Sequence, residues 1–199
     1  MKAIVQDKYG SPDDLELREV ERPTVGDDEV LVQIRAASLH PDVWHVVTGR
    51  PYVLRLMGGG SSKPKNPIPG TDMAGIVESV GKNVTRFRRG DAVFGETIDA
   101  HQWTNGGAFA EYVSARQEWL ALKPDNVSFE QAASVPTSGF ITLLNLRGGS
   151  LIRPGQRVLV GSRTLLHEAG LSVESEQDDE MRRLESQGKT VMLVAVGGC

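Results

Sequence analysis

Cysteine is almost absent from this sequence, which has a single one, Cys199, among 199 residues. One thiol excludes an internal disulfide framework, and cysteine-poor chains are typical of reducing compartments. No apolar run approaches the ~20 residues that a membrane-spanning helix needs, and the opening MKAIVQDKYG lacks the apolar stretch of a secretion signal. The sequence therefore predicts a cytoplasmic protein with no membrane partner.

Basic charge is also scarce, because 22 lysines and arginines stand against 26 acidic residues, for a net charge of -4. Binding to nucleic acid relies on clustered lysine and arginine that neutralise phosphates. The basic cluster RFRRG at residues 86–90 is typical of a solvated turn. We therefore expect no nucleic-acid partner.

Short β-type runs dominate the first two thirds of the chain, separated by turns rich in Gly, Pro and Asp. They read KAIVQ, LELREV, EVLVQIRAAS, MAGIVESVG, DAVFGE and AFAEYVSA. Many short strands at this spacing predict a rolled barrel. A helical pattern then begins at Ser128, with Gln131 three residues later completing a capping box. The predicted fold class is mainly β with helices, that is α+β.

Four motifs follow one another in the first 160 residues. They are HPDVWHVVTGRPYV with the PGTDMAG that follows it, GGAFAEYV, LALKPDNVSFEQAASVP and LIRPGQRVLV. Together they resemble the zinc-independent, quinone-oxidoreductase-like branch of the medium-chain dehydrogenase/reductase superfamily. The resemblance implies a GroES-like, alcohol dehydrogenase-type catalytic barrel. It also implies hydride transfer between NADPH and a small-molecule quinone, carbonyl or activated alkene.

The same resemblance indicates that zinc is not used. Zinc-dependent members carry a His-Glu pair where this chain has Thr71 and Asp72, and a cysteine where it has His40. A catalytic zinc needs three protein ligands. His40 and His45 are five residues apart without a third ligand that converges on them, and His101 is interpreted as a loop histidine. We therefore expect no metal site.

By resemblance, the barrel contributes one wall of the nicotinamide and substrate site. The catalytic candidates in that wall are His40, Asp42 and Tyr52, and the cofactor-binding candidates are Trp44 and Thr137. Simpler interpretations stay open: Trp44 and Tyr52 also suit core or rim aromatics, and Asp42 suits a helix cap. The glycines of PGTDMAG and VGKNV are predicted to serve turns and close strand packing.

The family's phosphate-binding loop has no counterpart in this sequence. The strand at residues 158–160 ends at the single glycine Gly161, followed by Ser162 and Arg163, and the sequence contains no G-x-G-x-x-G. In the family, this strand runs into a glycine-rich turn whose N–H groups hold the cofactor pyrophosphate. The Rossmann domain is therefore expected to be missing, NADPH binding to be weak or absent, and the chain to show no turnover.

The tail resembles a second family. VLVGSRTLLHEAGLSV and RRLESQGKTVMLVAVGG, within residues 158–198, are similar to part of the nucleotide-binding domain of heavy-metal P-type ATPases. Ser162 departs from that pattern, which usually has Asn there. The GKT at residues 188–190 lacks the earlier glycine of a Walker A loop, so it predicts a helix end followed by a strand. Because both families share a VLV-G strand, the sequence predicts a fusion at that strand, whether natural, engineered or artefactual.

The predicted organisation is a barrel domain, a connecting helix with the first strand of a truncated cofactor domain, and a small incomplete α/β tail, at residues 1–125, 126–160 and 161–199. Within the tail we expect strands near 157–160 and 190–196, with helices near 163–169 and 176–187 between them. Two functions stay open. The chain is either a truncated or chimeric oxidoreductase that is inactive alone, or a non-catalytic fusion that acts through self-association or partner binding by its exposed surface.

Overall fold

The computed structural model describes most of the chain, namely residues 1–56, 60–98, 104–147, 157–161, 163–186 and 193–197. It divides the chain into two compact units, Met1–Thr142 and Leu143–Cys199. Within the described residues, no helix is both long enough and apolar enough to cross a membrane. The predictions for His101, Ser162, residues 188–190 and Cys199 fall outside these residues.

The first unit contains more strands than helices. The strands are β1 (Lys2–Val5), β2 (Glu16–Glu19), β3 (Glu29–Ala37), β4 (Asp72–Val80), β5 (Ala92–Glu96), β6 (Tyr112–Arg116) and β7 (Leu120–Leu122). The helices that accompany them are α1 (Pro41–Thr48), α2 (Phe129–Ala133) and the start of α3 (Pro136–Arg147). This mixture confirms the prediction of a mainly β, α+β fold.

The central sheet of the first unit is antiparallel throughout, with the order β6-β3-β4-β5-β7. Strand β1 pairs with β2, and a bridge between Ala3 and Ala110 connects this pair to the chain just before β6. Alternate apolar residues of the sheet face one core. Its buried members include Val30, Val32, Met73, Val77, Phe87, Val93, Val113 and Leu120.

Two positions of the PGTDMAG motif require glycine, because of backbone conformation or close packing. Gly70 has a φ of 84°, in the left-handed region, and a Cβ there would overlap the ring of Phe109. Gly75 on β4 lies against the backbone carbonyl of Gln33 on β3, so a Cβ there would also overlap. Their interpretation as turn and close-packing glycines is confirmed for this motif.

The predicted capping box at the start of α2 is confirmed. Ser128 Oγ accepts a hydrogen bond of 3.2 Å from Gln131 N, and Gln131 Oε1 accepts one of 2.8 Å from Ser128 N. The cap starts α2 where Ala132 and Ala133 pack against Ala74 of β4. This contact places the segment leading to α3 beside the sheet.

The second unit contains β8 (Arg157–Gly161), α4 (Arg163–Glu168), α5 (Ser175–Ser186) and β9 (Leu193–Gly197). These elements lie within a few residues of their predicted positions. Strands β8 and β9 pair antiparallel, with Leu159 opposite Ala195. Successive strands of a dinucleotide-binding βαβ unit are parallel. The described part of the tail therefore does not continue β8 into such a unit.

Candidate active site

His40 lies between β3 and α1, at the position that caps α1. Its side chain makes no capping hydrogen bond, and Pro41 begins the helix. The ring of His40 is 7% exposed, and its Nε2 lies 2.8 Å from Thr71 Oγ1. The helix start therefore places a buried imidazole against the end of the PGTDMAG turn.

Asp72, the first residue of β4, is 1% exposed and collects several donors. It accepts hydrogen bonds from Thr71 Oγ1 at 3.0 Å, from Thr137 Oγ1 at 2.7 Å and from Thr137 N at 2.9 Å. An ionised carboxylate only accepts, so the single hydroxyl proton of Thr71 points to Asp72. Thr71 Oγ1 must then accept from His40 Nε2–H, which leaves the lone pair of a neutral His40 on Nδ1.

The other ring nitrogen of His40 has no hydrogen-bond partner among the described residues. Nδ1 is buried, and the carboxylate oxygen Oδ2 of Asp42 lies 3.8 Å away. Leaving a buried polar atom unpaired costs free energy, so such atoms call for an explanation. A small molecule that hydrogen-bonds to Nδ1 removes this cost.

Glu96, at the end of β5, extends the polar cluster. Its Oε1 lies 3.3 Å from Thr137 Oγ1. Burial raises the pKa of the Glu96 carboxyl above its usual range, and the negative charge of Asp72 raises it further. The connected residues His40, Thr71, Asp72, Thr137 and Glu96, together with Asp42, are called the His40 cluster below.

Sequence reasoning had assigned His40, Asp42 and Thr137 but had not assigned Thr71, Asp72 or Glu96 to the site. In the sequence analysis, Thr71 and Asp72 are considered only as replacements for the His-Glu pair of zinc-dependent members. The available signal was a carboxylate directly before the apolar residues Met73 and Ala74, since buried charges are rare unless they are hydrogen-bonded. No local signal marked Glu96, whose link to the site is its contact with Thr137.

Trp44 and Tyr52 lie at a different place. They are 51% and 64% exposed, which excludes the core interpretation. Both line a cavity of about 440 Å³, called the Arg55 cavity here, and its walls do not include His40, Asp42 or Thr137. Its other main lining residues are Tyr9, Thr48, Arg50 and Arg55. The structure therefore brings three of the five predicted residues together and places two beside a separate cavity.

Asp42 is not the helix cap that the simpler interpretation suggested. It is the second residue of α1, and His40 occupies the cap position. Its side chain is 18% exposed and faces the His40 ring across the 3.8 Å gap. Asp42 is thus part of the cluster rather than a cap.

The donor set does not fit a catalytic zinc. No group of three or more His, Cys, Asp or Glu side chains suited to a metal occurs in the part of the chain that the structure describes. Thr71 bridges His40 and Asp72, whose Nε2 and Oδ1 atoms are 3.8 Å apart. His45 Nδ1 lies 2.7 Å from the carbonyl oxygen of Arg50, at the end of α1.

Comparison with known proteins gives consistent matches. The profile of the alcohol dehydrogenase GroES-like domain matches residues 26–125. A quinone oxidoreductase of Sus scrofa is 32% identical over 162 residues, which cover 80% of this chain and 45% of that protein. This chain therefore spans about half the length of that relative.

Solved structures agree in fold. The quinone oxidoreductase from Coxiella burnetii has a TM-score of 0.67 at 30% identity, over 77% of this chain and 46% of that one. A mycobacterial protein solved in complex with NADPH has a TM-score of 0.62 at 25% identity, over 78% of this chain and 44% of that one.

Proposed function

The chain belongs to the alcohol dehydrogenase GroES-like domain family, as a quinone-oxidoreductase-like member of the medium-chain dehydrogenase/reductase superfamily, and we propose that its barrel supplies the substrate-side half of an NADPH-dependent reductase. The proposed reaction is hydride transfer from NADPH to a small quinone, carbonyl or enone. NADPH is proposed because a solved relative was crystallised with it.

The unpartnered Nδ1 of His40 is the observation that carries this proposal. As an acceptor in the neutral ring, Nδ1 suits an amide N–H or a ribose hydroxyl, and as a donor in the charged ring it suits a carbonyl oxygen. The carboxylate of Asp42 lies 3.8 Å from this nitrogen. The residues therefore fit the barrel-facing part of a nicotinamide site. The cofactor, when bound, supplies the hydride.

The rest of the cluster orients His40 and includes a carboxyl whose pKa is raised. Thr71 fixes the ring through Nε2, and Asp72 fixes Thr71. Reduction of a carbonyl or quinone consumes a proton in addition to the hydride. Because burial and the charge of Asp72 raise the pKa of Glu96, this carboxyl holds a proton at higher pH than an ordinary glutamate.

For three of the predicted site residues, Thr137, Tyr52 and Trp44, the structure gives less support to the proposed role. Thr137 donates its hydroxyl proton to Asp72 and is 6% exposed, so a cofactor-binding role requires a rearrangement of that bond. Tyr52 as a catalytic residue and Trp44 as a cofactor-binding residue remain predictions, since their cavity is lined by other residues than the His40 cluster.

We propose that the chain binds NADPH only weakly and does not turn over alone. Strand β8 is followed by Ser162 and Arg163 rather than by glycines that hold a pyrophosphate. The barrel offers a few hydrogen bonds, each worth a net ~0.5–1.5 kcal/mol, against an association cost of ~4 kcal/mol or more. The expected Kd is therefore about a millimolar or weaker. Zinc is not expected, since the ligands do not converge.

The fused tail and the non-catalytic alternative are further parts of the proposal. Likeness to a P-type ATPase fragment is supported by the VLVGSR and GKTVMLVAV segments. Self-association is favoured by apolar side chains exposed on the first unit, on and just before α3, namely Val135 and Phe140. A cytoplasmic location is supported by the single cysteine.

A graft tests the proposed function. In this graft, the part of the chain after Val160 is replaced by the cofactor-binding region of a quinone-oxidoreductase relative, together with the carboxyl-terminal segment of that relative that packs back on the barrel. NADPH-dependent quinone reduction is then measured. We expect the graft to be active and His40→Phe to lower kcat/KM by up to about tenfold, which corresponds to the loss of one hydrogen bond. His45→Gln is the matched control. Equal activity of the two variants would exclude His40 from the site.

A further inference from the structure

The Arg55 cavity combines aromatic rings with positive charge that no carboxylate neutralises in the described part of the chain. It lies at the carboxyl-terminal end of α1, and its volume of about 440 Å³ falls in the range of small-molecule sites. Arg50 and Arg55 line it together with Trp44, Tyr9 and Tyr52.

Arg55 is held in place by the protein itself. Its Nε donates a 2.9 Å hydrogen bond to the carbonyl oxygen of Gly49, and an Nη donates one of 3.4 Å to that of Thr48. Its guanidinium carbon lies 4.4 Å from the ring centroid of Tyr9 and 4.8 Å from that of Tyr52. A guanidinium has five N–H donors, so three have no acceptor among the residues that the structure describes.

The surrounding backbone is shaped to allow this arrangement. Gly49 ends α1 with a φ of 62°, and a Cβ at this position would overlap both Arg55 and the ring of Tyr9. Burial raises the pKa of Tyr9, whose hydroxyl donates a 2.7 Å hydrogen bond to the carbonyl oxygen of Gly60. The ring and the guanidinium are therefore positioned before any ligand arrives.

Arg50 adds a second cation. Its backbone is fixed by His45, through bonds to both its N–H and its carbonyl oxygen, while its side chain is exposed. The acidic residues near the Ser11 side of the cavity have partners of their own: Asp14 pairs with Lys8 at 3.3 Å, and Asp13 accepts from Ser11 Oγ at 2.9 Å. Asp13 keeps its negative charge, but neither Asp13 nor Asp14 lines the cavity, whereas Arg50 and Arg55 do.

We propose that the Arg55 cavity binds a small planar aromatic ring that carries a carboxylate. The ring stacks on the exposed indole of Trp44, and the carboxylate takes the free N–H donors of Arg55 and Arg50. Arginine suits this ligand because its planar fork binds carboxylates in pairs of charge-assisted hydrogen bonds. The inference does not rest on the reductase proposal, because binding needs no cofactor.

Calorimetric titration of the full chain with 2-naphthoate tests the site. We expect saturable one-to-one binding with a Kd below about 1 mM, and about tenfold weaker binding of the neutral isostere 2-naphthylmethanol. Acetate and inorganic phosphate, which lack the ring, are expected not to saturate in this range. Equal affinity for the acid and the alcohol, or saturable binding of phosphate, would overturn the proposal.

Variants locate the binding to this cavity. Arg50→Gln removes a cation whose side chain is exposed, and it is expected to weaken 2-naphthoate binding about tenfold. Arg88→Gln is the matched control, because it makes the same charge change at a side chain that is 90% exposed, in the turn before β5, and that does not line the cavity. Trp44→Leu is expected to weaken the acid and the alcohol alike. Equal effects of Arg50→Gln and Arg88→Gln would contradict the assigned site.

Discussion

Thr137 Oγ1 donates a 2.7 Å hydrogen bond to Asp72 Oδ1, and the backbone N–H of Thr137 donates to the other oxygen of the same carboxylate at 2.9 Å. This pair of bonds fixes the first turn of α3 to the first residue of β4. It also supplies two of the donors that allow a charged Asp72 to be buried at 1% exposure. The helix connection and the polar cluster are thus one structural unit.

Removing the Thr137 hydroxyl should destabilise the barrel. Thr137→Val keeps the side-chain shape but leaves Asp72 with one donor fewer, so the free energy of unfolding should fall by ~1.5–3 kcal/mol, the range for hydrogen bonds to charged groups. Urea unfolding followed by circular dichroism measures this change. Thr137→Ser, which keeps the hydroxyl, is expected to lose less. Equal losses for Val and Ser would mean that packing, not the hydrogen bond, explains the effect.

Glu96 should make stability depend on pH. Burial and the charge of Asp72 raise the pKa of Glu96 in the folded protein above its ordinary value of 4.5. A raised pKa contributes stability below that ordinary value, and this stability is lost as pH rises through the folded pKa. Glu96→Gln cannot ionise, so its stability relative to the natural protein should increase as pH rises above 4.5.

Glu118 provides the control for Glu96 because its shift has the opposite sign. A hydrogen bond from its own backbone N–H and another from Arg116 lower the pKa of this exposed carboxyl. Glu118 therefore contributes stability at higher pH, which is lost as pH falls through its folded pKa. The relative stability of Glu118→Gln should not increase with pH. Unfolding is measured from about pH 4, just below the ordinary glutamate pKa, to about pH 8, well above it. The stabilities of the two variants relative to the natural protein should change differently with pH over this range. Parallel pH profiles would refute the assigned shift of Glu96.

The tail should open before the barrel. Among its described residues, Leu166 and Met181 are buried apolar side chains, which gives it little area to offset the ordering entropy of ~1–2 kcal/mol per residue. Trypsin should therefore cleave early at Arg182 and Arg183 while the barrel survives. Arg88 and Arg89 are similarly exposed, in a turn of the barrel, and serve as internal comparison sites. Cleavage at all four sites at the same rate would show that the tail is as stable as the barrel.

The sequence predicted the strands well because local signals agree there. Alternating apolar residues and the Ser128 capping box are decided within a few residues, whereas the contacts that require glycine at Gly70 and Gly75 come from residues far along the chain. The tail elements were also predicted from apolar runs. Their antiparallel pairing was not, because register between β8 and β9 depends on contacts that sequence spacing does not show.

The site was predicted only in part for the same reason. His40 and Asp42 are neighbours in the chain, so their proximity follows from one short motif. Asp72 and Glu96 belong to different strands, and they approach His40 and Thr137 only through the pairing of β4 with β5 and the position of α3. Trp44 and Tyr52 were grouped with His40 by resemblance, whereas α1 presents Trp44 to the Arg55 cavity.

NADPH titration of the unmodified chain, followed by cofactor fluorescence, tests the central claim most directly. That claim assigns the barrel the substrate-side half of the site, with no pyrophosphate anchor after β8. We predict no saturable signal below about a millimolar for the unmodified chain, and saturable binding once a complete cofactor region is joined after Val160. Saturable micromolar binding by the unmodified chain would contradict the account and show that the tail forms a cofactor site of its own.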